Sequence, residues 1–271
     1  MIVSTALDLA VNGETVVLVG TDTDLLVMLV ARAPTNTKVF MLRPGMNNKP
    51  AKLFNITAIQ QAVGEKQHNL LFLHAVTGCD TTSALYGQGK KKAFRLLMSN
   101  DELAKEMTVF NTESLNPDDV SASGEKFLLA LYGGTRFNTL DEYRYYAYKR
   151  NIAGKSVGAK FTLATLPPTS AAARQHSLRT YLQVQQWLGK DPSQTEWGWK
   201  THNNLLPLPT DLPPAPQKLM KLISCNCKAG CMSRCGCRQA GMACSAMCSQ
   251  CMGIGCSNAP QAEELGTGED E

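Results

Sequence analysis

Nine of the ten cysteines in this 271-residue sequence are concentrated near its C-terminal end. They are Cys225, Cys227, Cys231, Cys235, Cys237, Cys244, Cys248, Cys251 and Cys256, and Cys79 is the tenth. An odd number of thiols cannot close into disulfides alone, and the N-terminus carries no secretory signal, so metal binding is the better interpretation. Tetrahedral Zn²⁺ takes four ligands. Nine thiolates can therefore hold three zinc ions if six bind one ion each and three bridge two ions.

A second arrangement, two separate four-cysteine sites with one spare thiol, stays open. The C-x-C pairs favour the bridged cluster, because ligands two residues apart suit neighbouring ions. Between Lys218 and Asn258 there are five basic residues and no acidic residue, and three Zn²⁺ with nine thiolates would leave a net charge of about +2. This sign suits phosphate, so Lys228, Arg234 and Arg238 are candidate nucleic-acid contacts. The alternative is a zinc module that only folds this segment or binds another protein.

The segment that ends at Asn258, CNCKAGCMSRCGCRQAGMACSAMCSQCMGIGCSN, resembles a single tesmin-type CXC domain. The resemblance implies zinc binding through these cysteines, DNA binding of the kind found in regulators of chromatin or transcription, and a nuclear location. Many tesmin-type proteins have two such repeats and a Tyr before the second C-x-C, where this chain has one repeat and Arg234.

Two acidic residues, Asp22 and Asp24, follow directly on TVVLVG (15–20), a run typical of a buried strand. Carboxylates at the C-terminal end of a parallel strand project into the crevice where α/β proteins bind ligands. Two of them at this spacing can hold a hard cation. The D-x-D pattern also serves as a helix cap, and this alternative stays open.

Further along the chain, Asp80 ends a Gly-Cys-Asp segment, and Gly87 and Gly89 precede a predicted helix. The first turns of that helix contain Lys90, Lys91, Lys92 and Arg95. Glycines let backbone amides approach phosphate, so this segment is a candidate grip on the nucleic-acid backbone. An ordinary solvated basic helix end is the alternative, and no Ser or Thr follows Lys90 as a P-loop requires.

Taken together, these motifs resemble the second half of a flap-endonuclease-type (PIN-like) 5′ nuclease domain. The resemblance implies Mg²⁺ or Mn²⁺ at Asp22, Asp24 and Asp80, and duplex DNA at Gly87, Gly89 and the lysines. The family has further acids, on an earlier strand and in an E-x-[DE] motif, that would fall before Met1. We therefore expect a truncated or degenerate nuclease-like domain with an incomplete catalytic set. The alternative is an active structure-selective nuclease in which a longer gene product supplies the missing acids.

The order of the elements predicts an α/β fold with a partial parallel sheet. Strands are expected at 15–20 and 38–43, and helices at 2–10, 24–31, 53–63, 69–76 and 89–98. Residues 101–204 are expected to be a mostly helical extension. Within it, 141–150 contains four tyrosines, and the favoured interpretation is an amphipathic helix that packs its rings in a core. The alternative is a face that binds nucleic acid.

Composition bounds the remaining possibilities. The chain is 44% hydrophobic and 18% charged, which excludes a disordered chain, and it has no uncharged apolar run of membrane-spanning length. We predict five segments: a nuclease-like domain (1–100), the helical extension (101–204), a proline-rich linker (205–217), a CXC domain (218–258) and an acidic disordered tail (259–271). The predicted protein binds zinc and DNA or chromatin, and is nuclear or otherwise cytoplasmic, with no membrane partner and no secretion. The fusion of the two family-like segments resembles multi-copy animal proteins of suggested mobile-element origin.

Overall fold

The computed structural model describes residues 2–46, 49–153, 163–202, 204–210, 225–228, 230–240, 242–244, 248, 250–253 and 256–259. The chain divides into two compact units, Met1–Thr210 and Asp211–Glu271. Within the described ranges, no helix has both the length and the apolar character needed to cross a bilayer.

The N-terminal unit begins with a mixed α/β segment. Its elements are α1 (Ile2–Val11), β1 (Thr15–Val19), α2 (Thr23–Arg32), β2 (Lys38–Arg43), β3 (Lys52–Asn55) and α3 (Ile56–Val63). Strands β1 and β2 pair in parallel, which confirms the predicted strand, helix, strand unit, whereas β3 adds to β2 antiparallel. The predicted helix over 53–63 is wrong at its start, because Leu53 and Phe54 pair with β2 and Asn55 caps α3 by accepting from Ala58 N.

One face of this sheet is buried and the other is not. Leu18, Val39 and Met41 are buried in a core with residues of α1, α2 and α3. On the opposite face, Val17 and Leu53 are 49% and 62% exposed. Packing of the buried face holds the parallel pair in place. The loop that contains Asp22 follows directly on the carboxyl end of β1.

The rest of the N-terminal unit is mostly helical, as the sequence predicts for 101–204. The α-helices are α4 (Leu70–Val76), α5 (Lys90–Ser99), α6 (Asp101–Met107), α7 (Pro117–Tyr132), α8 (Leu140–Ala153) and α9 (Ser170–Trp187). Short 3₁₀ helices lie at Gly64–Asn69, Thr108–Asn111, Leu163–Thr165 and Gln194–Glu196. Helices α4 through α9 share a second core. In it, the rings of Phe72 in α4 and Phe127 in α7 lie 4.9 Å apart between centroids.

Helix α9 lies in this core with many polar side chains, several of which hydrogen-bond to other elements. His176 Nε2 donates to Val76 O at 2.8 Å, and Gln185 Nε2 donates to Phe110 O at 2.8 Å. Burial lowers the pKa of His176, so this ring is neutral near pH 7. The side chains of His176 and Trp197 are both buried.

Two further sequence predictions are wrong in the described residues. The proline-rich segment begins inside a strand, because β4 (Trp199–His202) pairs antiparallel with β5 (Asn204–Pro207). Pro207 ends this edge strand, where its missing N–H costs no ladder hydrogen bond. Residues 211–217 of the predicted linker lie outside the described residues. Helix α8 is not amphipathic in its packing either, since of its four tyrosines only Tyr143 is half-buried.

The crossing of α7 and α9 predicts a sharp effect of one methyl group. A Cβ built at Gly124 would lie 2.6 Å from Ser177 Cβ, and Ser177 is fully buried. We expect Gly124→Ala to lower the free energy of unfolding of the chain by about 1–3 kcal/mol in urea denaturation, because overpacking outweighs the helix propensity that alanine gains.

The matched test repeats this substitution in a Ser177→Gly background, where the space is free. There, Gly124→Ala should be neutral or stabilising. Equal losses in both backgrounds would show that this contact does not limit the crossing.

Candidate functional site

The C-terminal unit is organised around cysteine side chains. Six of them are buried, namely Cys225, Cys231, Cys235, Cys237, Cys244 and Cys248, and the other three are half-buried. Helix α10 (Gly236–Gln239) is short, and it positions Cys237 next to its N-cap, Cys235. In the described part of this unit the buried core consists of cysteines alone.

The sulfur atoms stand at the spacing that a tetrahedral ion requires. Cys225 Sγ lies 3.7 Å from Cys231 Sγ and 3.9 Å from Cys244 Sγ, and Cys237 Sγ lies 3.6 Å from Cys248 Sγ. Zinc–sulfur bonds of about 2.3 Å in tetrahedral geometry separate the sulfurs by about 3.8 Å. The cysteine groups can therefore hold a metal ion, and the donor set fits zinc.

The nine sulfurs form overlapping sets of four, and all sulfurs of a set lie within 4.8 Å of one another. One set within 4.8 Å contains Cys225, Cys227, Cys231 and Cys235, and a second contains Cys231, Cys244, Cys251 and Cys256. The third set contains Cys225, Cys237, Cys244 and Cys248; Cys237 and Cys248 each lie within 4.8 Å of both Cys225 and Cys244. Two other sets contain Cys225, Cys235, Cys237 and Cys244, and Cys225, Cys244, Cys248 and Cys251. Among these overlapping sets, the first three include all nine sulfurs and share only Cys225, Cys231 and Cys244.

The electrostatics of this cluster call for cations. Burial, together with the neighbouring Cys248 thiol, raises the pKa of Cys237 to about 12. Burial also acts to raise the pKa of Cys235, but hydrogen bonds from the backbone of Arg238 and from the Cys225 and Cys244 thiols outweigh it and lower that pKa to about 6. Without a cation, the thiols whose pKa is raised, such as Cys237, hold their protons near neutral pH, so metal binding must displace protons.

The three basic candidates of the cysteine segment differ in their surroundings. Arg238 is exposed, yet its Nη2 donates to Ser257 O at 2.5 Å, so it ties α10 to the segment before Asn258. The backbone carbonyl oxygen of Asn258 in turn accepts a hydrogen bond from Cys244 N at 2.6 Å. Lys228 and Arg234 are exposed side chains. The structure thus gives Arg238 a structural contact and leaves the other two on the surface.

In the N-terminal unit, the structure gives the two acids of the D-x-D motif different partners. Asp22 is the N-cap of α2 and accepts from Asp24 N at 2.9 Å, so the capping interpretation is confirmed for Asp22. Asp24 Oδ1 lies 2.5 Å from His74 Nε2. His74 is buried in α4 and stacks on Trp187 with ring centroids 5.5 Å apart. Sequence reasoning missed His74, because only the tertiary fold brings α4 to the start of α2.

The three predicted carboxylate ligands do not form a compact group in the described residues. There, every set of three or more potential metal ligands within 4.8 Å consists of cysteines. Asp80 is exposed in the loop that follows α4. Mg²⁺ or Mn²⁺ at Asp22, Asp24 and Asp80 stays a prediction.

The predicted phosphate grip is partly engaged within the unit. Lys90 Nζ donates to Gly78 O at 2.5 Å, and burial lowers the pKa of Lys90 while the charges of Cys79 and Asp24 oppose that shift. Gly87 adopts a φ of +68°, which favours glycine, and a Cβ there would meet no atom within 4 Å. A Cβ at Gly89, the N-cap of α5, would also meet no atom within 4 Å. The remaining basic side chains, Lys91, Lys92 and Arg95, are exposed.

No family model, curated protein or solved structure matches the chain. The resemblances to the tesmin-type and flap-endonuclease-type families therefore rest on the motifs themselves. In the C-terminal unit this means the nine cysteines, and in the N-terminal unit the acids, glycines and lysines.

Lys90 makes a contact within the unit and Lys91 is exposed, so substitution of these two neighbours should affect stability differently. Lys90→Met removes a charge-assisted hydrogen bond that holds the Gly78 carbonyl, so it should lower the free energy of unfolding by about 1 kcal/mol. Lys91→Met, the matched control, changes an exposed side chain and should stay within about 0.5 kcal/mol of wild type. Chemical denaturation measures both. Equal stability of the two variants would contradict a structural role for Lys90.

Proposed function

We propose that this chain is a zinc-binding, DNA- or chromatin-associated protein whose C-terminal unit folds around three zinc ions. The observation that supports the proposal is that the nine sulfurs form overlapping sets of four, from which three sets that share only Cys225, Cys231 and Cys244 can be chosen. Cys225, Cys231 and Cys244 would bridge pairs of ions, and the other six cysteines would each bind one. This arrangement satisfies four-coordinate zinc three times with nine ligands.

Zinc would supply both the stability and the charge balance of the unit. A core of small thiol side chains buries little apolar surface, and small domains of this kind need metals or disulfides to fold. Nine thiolates without cations would repel one another, and three Zn²⁺ offset six of these charges. The exposed Lys228 and Arg234 then leave this unit a basic surface suited to phosphate.

We propose for the N-terminal unit a nuclease-like scaffold that adds a second DNA contact. The parallel pairing of β1 and β2 supports it, because the D-x-D motif follows the carboxyl end of β1. Lys91, Lys92 and Arg95 would contact phosphate beside the open Gly87 and Gly89. Residence in the nucleus follows from a DNA-bound role and from the reducing environment that thiolate ligands need.

The zinc proposal predicts a stoichiometry and a ranking of variants. Metal analysis of the purified chain should give about three zinc ions, and chelation should abolish the folded C-terminal unit. Cys244→Ser removes a shared ligand and should lose about two ions, whereas Cys256→Ser removes an unshared ligand and should lose about one. Cys79→Ser, outside the cluster, is the matched control and should keep all three. A wild-type content of two would replace the bridged cluster with separate sites, and a content of zero would refute zinc binding.

The DNA proposal predicts a loss of affinity on charge reversal at the surface of the cysteine unit. The double variant Lys228→Glu/Arg234→Glu should weaken binding of duplex DNA about tenfold or more and reduce the salt slope by about 2, as measured by fluorescence anisotropy between 50 and 200 mM salt. Lys38→Glu/Lys52→Glu, with the same charge change on exposed residues of the N-terminal unit, is the control and should bind nearly as wild type does. The same loss of DNA affinity in both double variants would show that net charge, and not Lys228 and Arg234 themselves, causes the effect.

The same samples test the nuclease alternative. On this proposal the DNA stays intact when Mn²⁺ is added. Cleavage that Asp22→Ala abolishes would instead establish a nuclease and overturn the non-catalytic proposal.

A further inference from the structure

Asn258 follows the last cysteine of the chain and contacts Cys244 through both its backbone and its side chain. Its backbone carbonyl accepts from Cys244 N, and its side-chain Nδ2 lies 3.4 Å from Cys244 Sγ. The same Nδ2 donates to Met242 O at 2.8 Å. Because an amide NH₂ group has two N–H bonds, it can donate to the carbonyl and to the sulfur at once. Asn258 therefore holds the backbone of 242–244 and places a hydrogen-bond donor against the sulfur.

The surroundings of the Asn258 amide determine which of its ends faces the sulfur. Arg238 Nε donates to Asn258 Oδ1 at 3.4 Å, and the Arg238 guanidinium is held there because its Nη2 also donates to Ser257 O. If the amide were turned over, its oxygen would face the Met242 carbonyl and its NH₂ group would face a guanidinium that has only donors. The hydrogen bonds thus assign the nitrogen to the side of Cys244. A carboxylate of the same shape has no N–H for the carbonyl or the sulfur.

Cys244 is a sulfur at which such a donor has a large effect. Its side chain is buried, and its Sγ lies 3.9 Å from Cys225 Sγ and 3.8 Å from Cys235 Sγ. A buried thiolate among other thiolates is costly unless its charge is stabilised, and an N–H donor stabilises it without itself binding the ion. Loss of such an outer partner of a metal ligand typically weakens metal binding about 10–100-fold.

We propose that Asn258 is a positioning residue of the zinc cluster, which stabilises the Cys244 thiolate and holds it where two ions can share it. Asn258 would not bind an ion itself, because its oxygen faces Arg238 and its nitrogen acts as a donor. The inference rests on the zinc cluster proposed above and adds one requirement to it. Zinc affinity should depend on an amide N–H that lies outside the set of nine cysteines.

Zinc competition on the full chain, with a chromogenic chelator that reports the released ion, tests this role. Asn258→Asp keeps the shape of the side chain but replaces the donor with a charged acceptor, so the most weakly held ion should bind about 10–100-fold more weakly. Asn258→Ala removes the donor without adding a charge, and its loss should be smaller. Gln239→Glu is the matched control, because it makes the same amide-to-carboxylate change at an exposed side chain that donates to Ser233 O. This control should hold zinc as wild type does.

Cobalt substitution separates the hydrogen bond from a general loss of structure. Co²⁺ bound to thiolates absorbs in the near ultraviolet by charge transfer from sulfur to metal, and the energy of this transition falls as electron density on the sulfur rises. Removal of the N–H donor leaves more electron density on Cys244 Sγ. The cobalt-loaded Asn258→Ala chain should therefore absorb at longer wavelength than wild type, and Gln239→Glu should not.

The outcomes distinguish this role from the proposed function. Wild-type zinc affinity and unchanged cobalt absorption in both Asn258 variants would overturn the role and leave the zinc cluster intact. Equal weakening in Asn258→Asp and Gln239→Glu would assign the effect to the added charge and also overturn it. If Asn258→Asp takes up no metal, the affinity and the spectrum of Asn258→Ala decide in the same way. A wild-type chain that binds no zinc would refute the proposed function and this role together.

Discussion

The C-terminal unit depends on the crowding of nine sulfur atoms. No larger apolar side chain contributes to its described core, so hydrophobic burial alone cannot hold this segment together. Thiols 3.6 to 3.9 Å apart repel one another once ionised, and only cations at their centres turn the crowding into attraction. The stability of this unit and its capacity to hold metal ions therefore have the same cause.

In the N-terminal unit, helix α9 contains many polar side chains and is nevertheless buried. Helix α9 packs apolar side chains into the core, and carbonyls of other elements accept hydrogen bonds from some of its polar side chains, as Val76 O does from His176. A polar contact also joins the sheet segment to the helical core, because Asp24 at the start of α2 contacts the buried His74 of α4. An unpaired polar group at either position would cost about 1–3 kcal/mol. The acids that the sequence marks for metal are thus partly engaged in holding the fold.

The sequence predictions succeeded where the signal is local. The parallel pair β1 and β2 follows from two β-branched and apolar runs around a helix, and the capping of α2 by Asp22 follows from the D-x-D pattern. They failed where a neighbour distant in sequence decides. Leu53 and Phe54 became a strand because β2 offers them an edge, and Tyr145 of α8 is 62% exposed where the sequence favoured a packed ring.

The sequence by itself predicted that nine cysteines form a unit able to hold metal, because the number, spacing and odd count of thiols are local properties that few other chemistries satisfy. It left open which cysteines are shared, since that depends on distances between sulfurs as far apart in the chain as Cys225 and Cys244. Only the tertiary structure showed which sulfurs lie close together, and only it brought His74 to Asp24 and left Tyr145 on the surface. Exposure and long-range contact depend on how whole elements pack, and residue spacing along the chain carries little record of that packing.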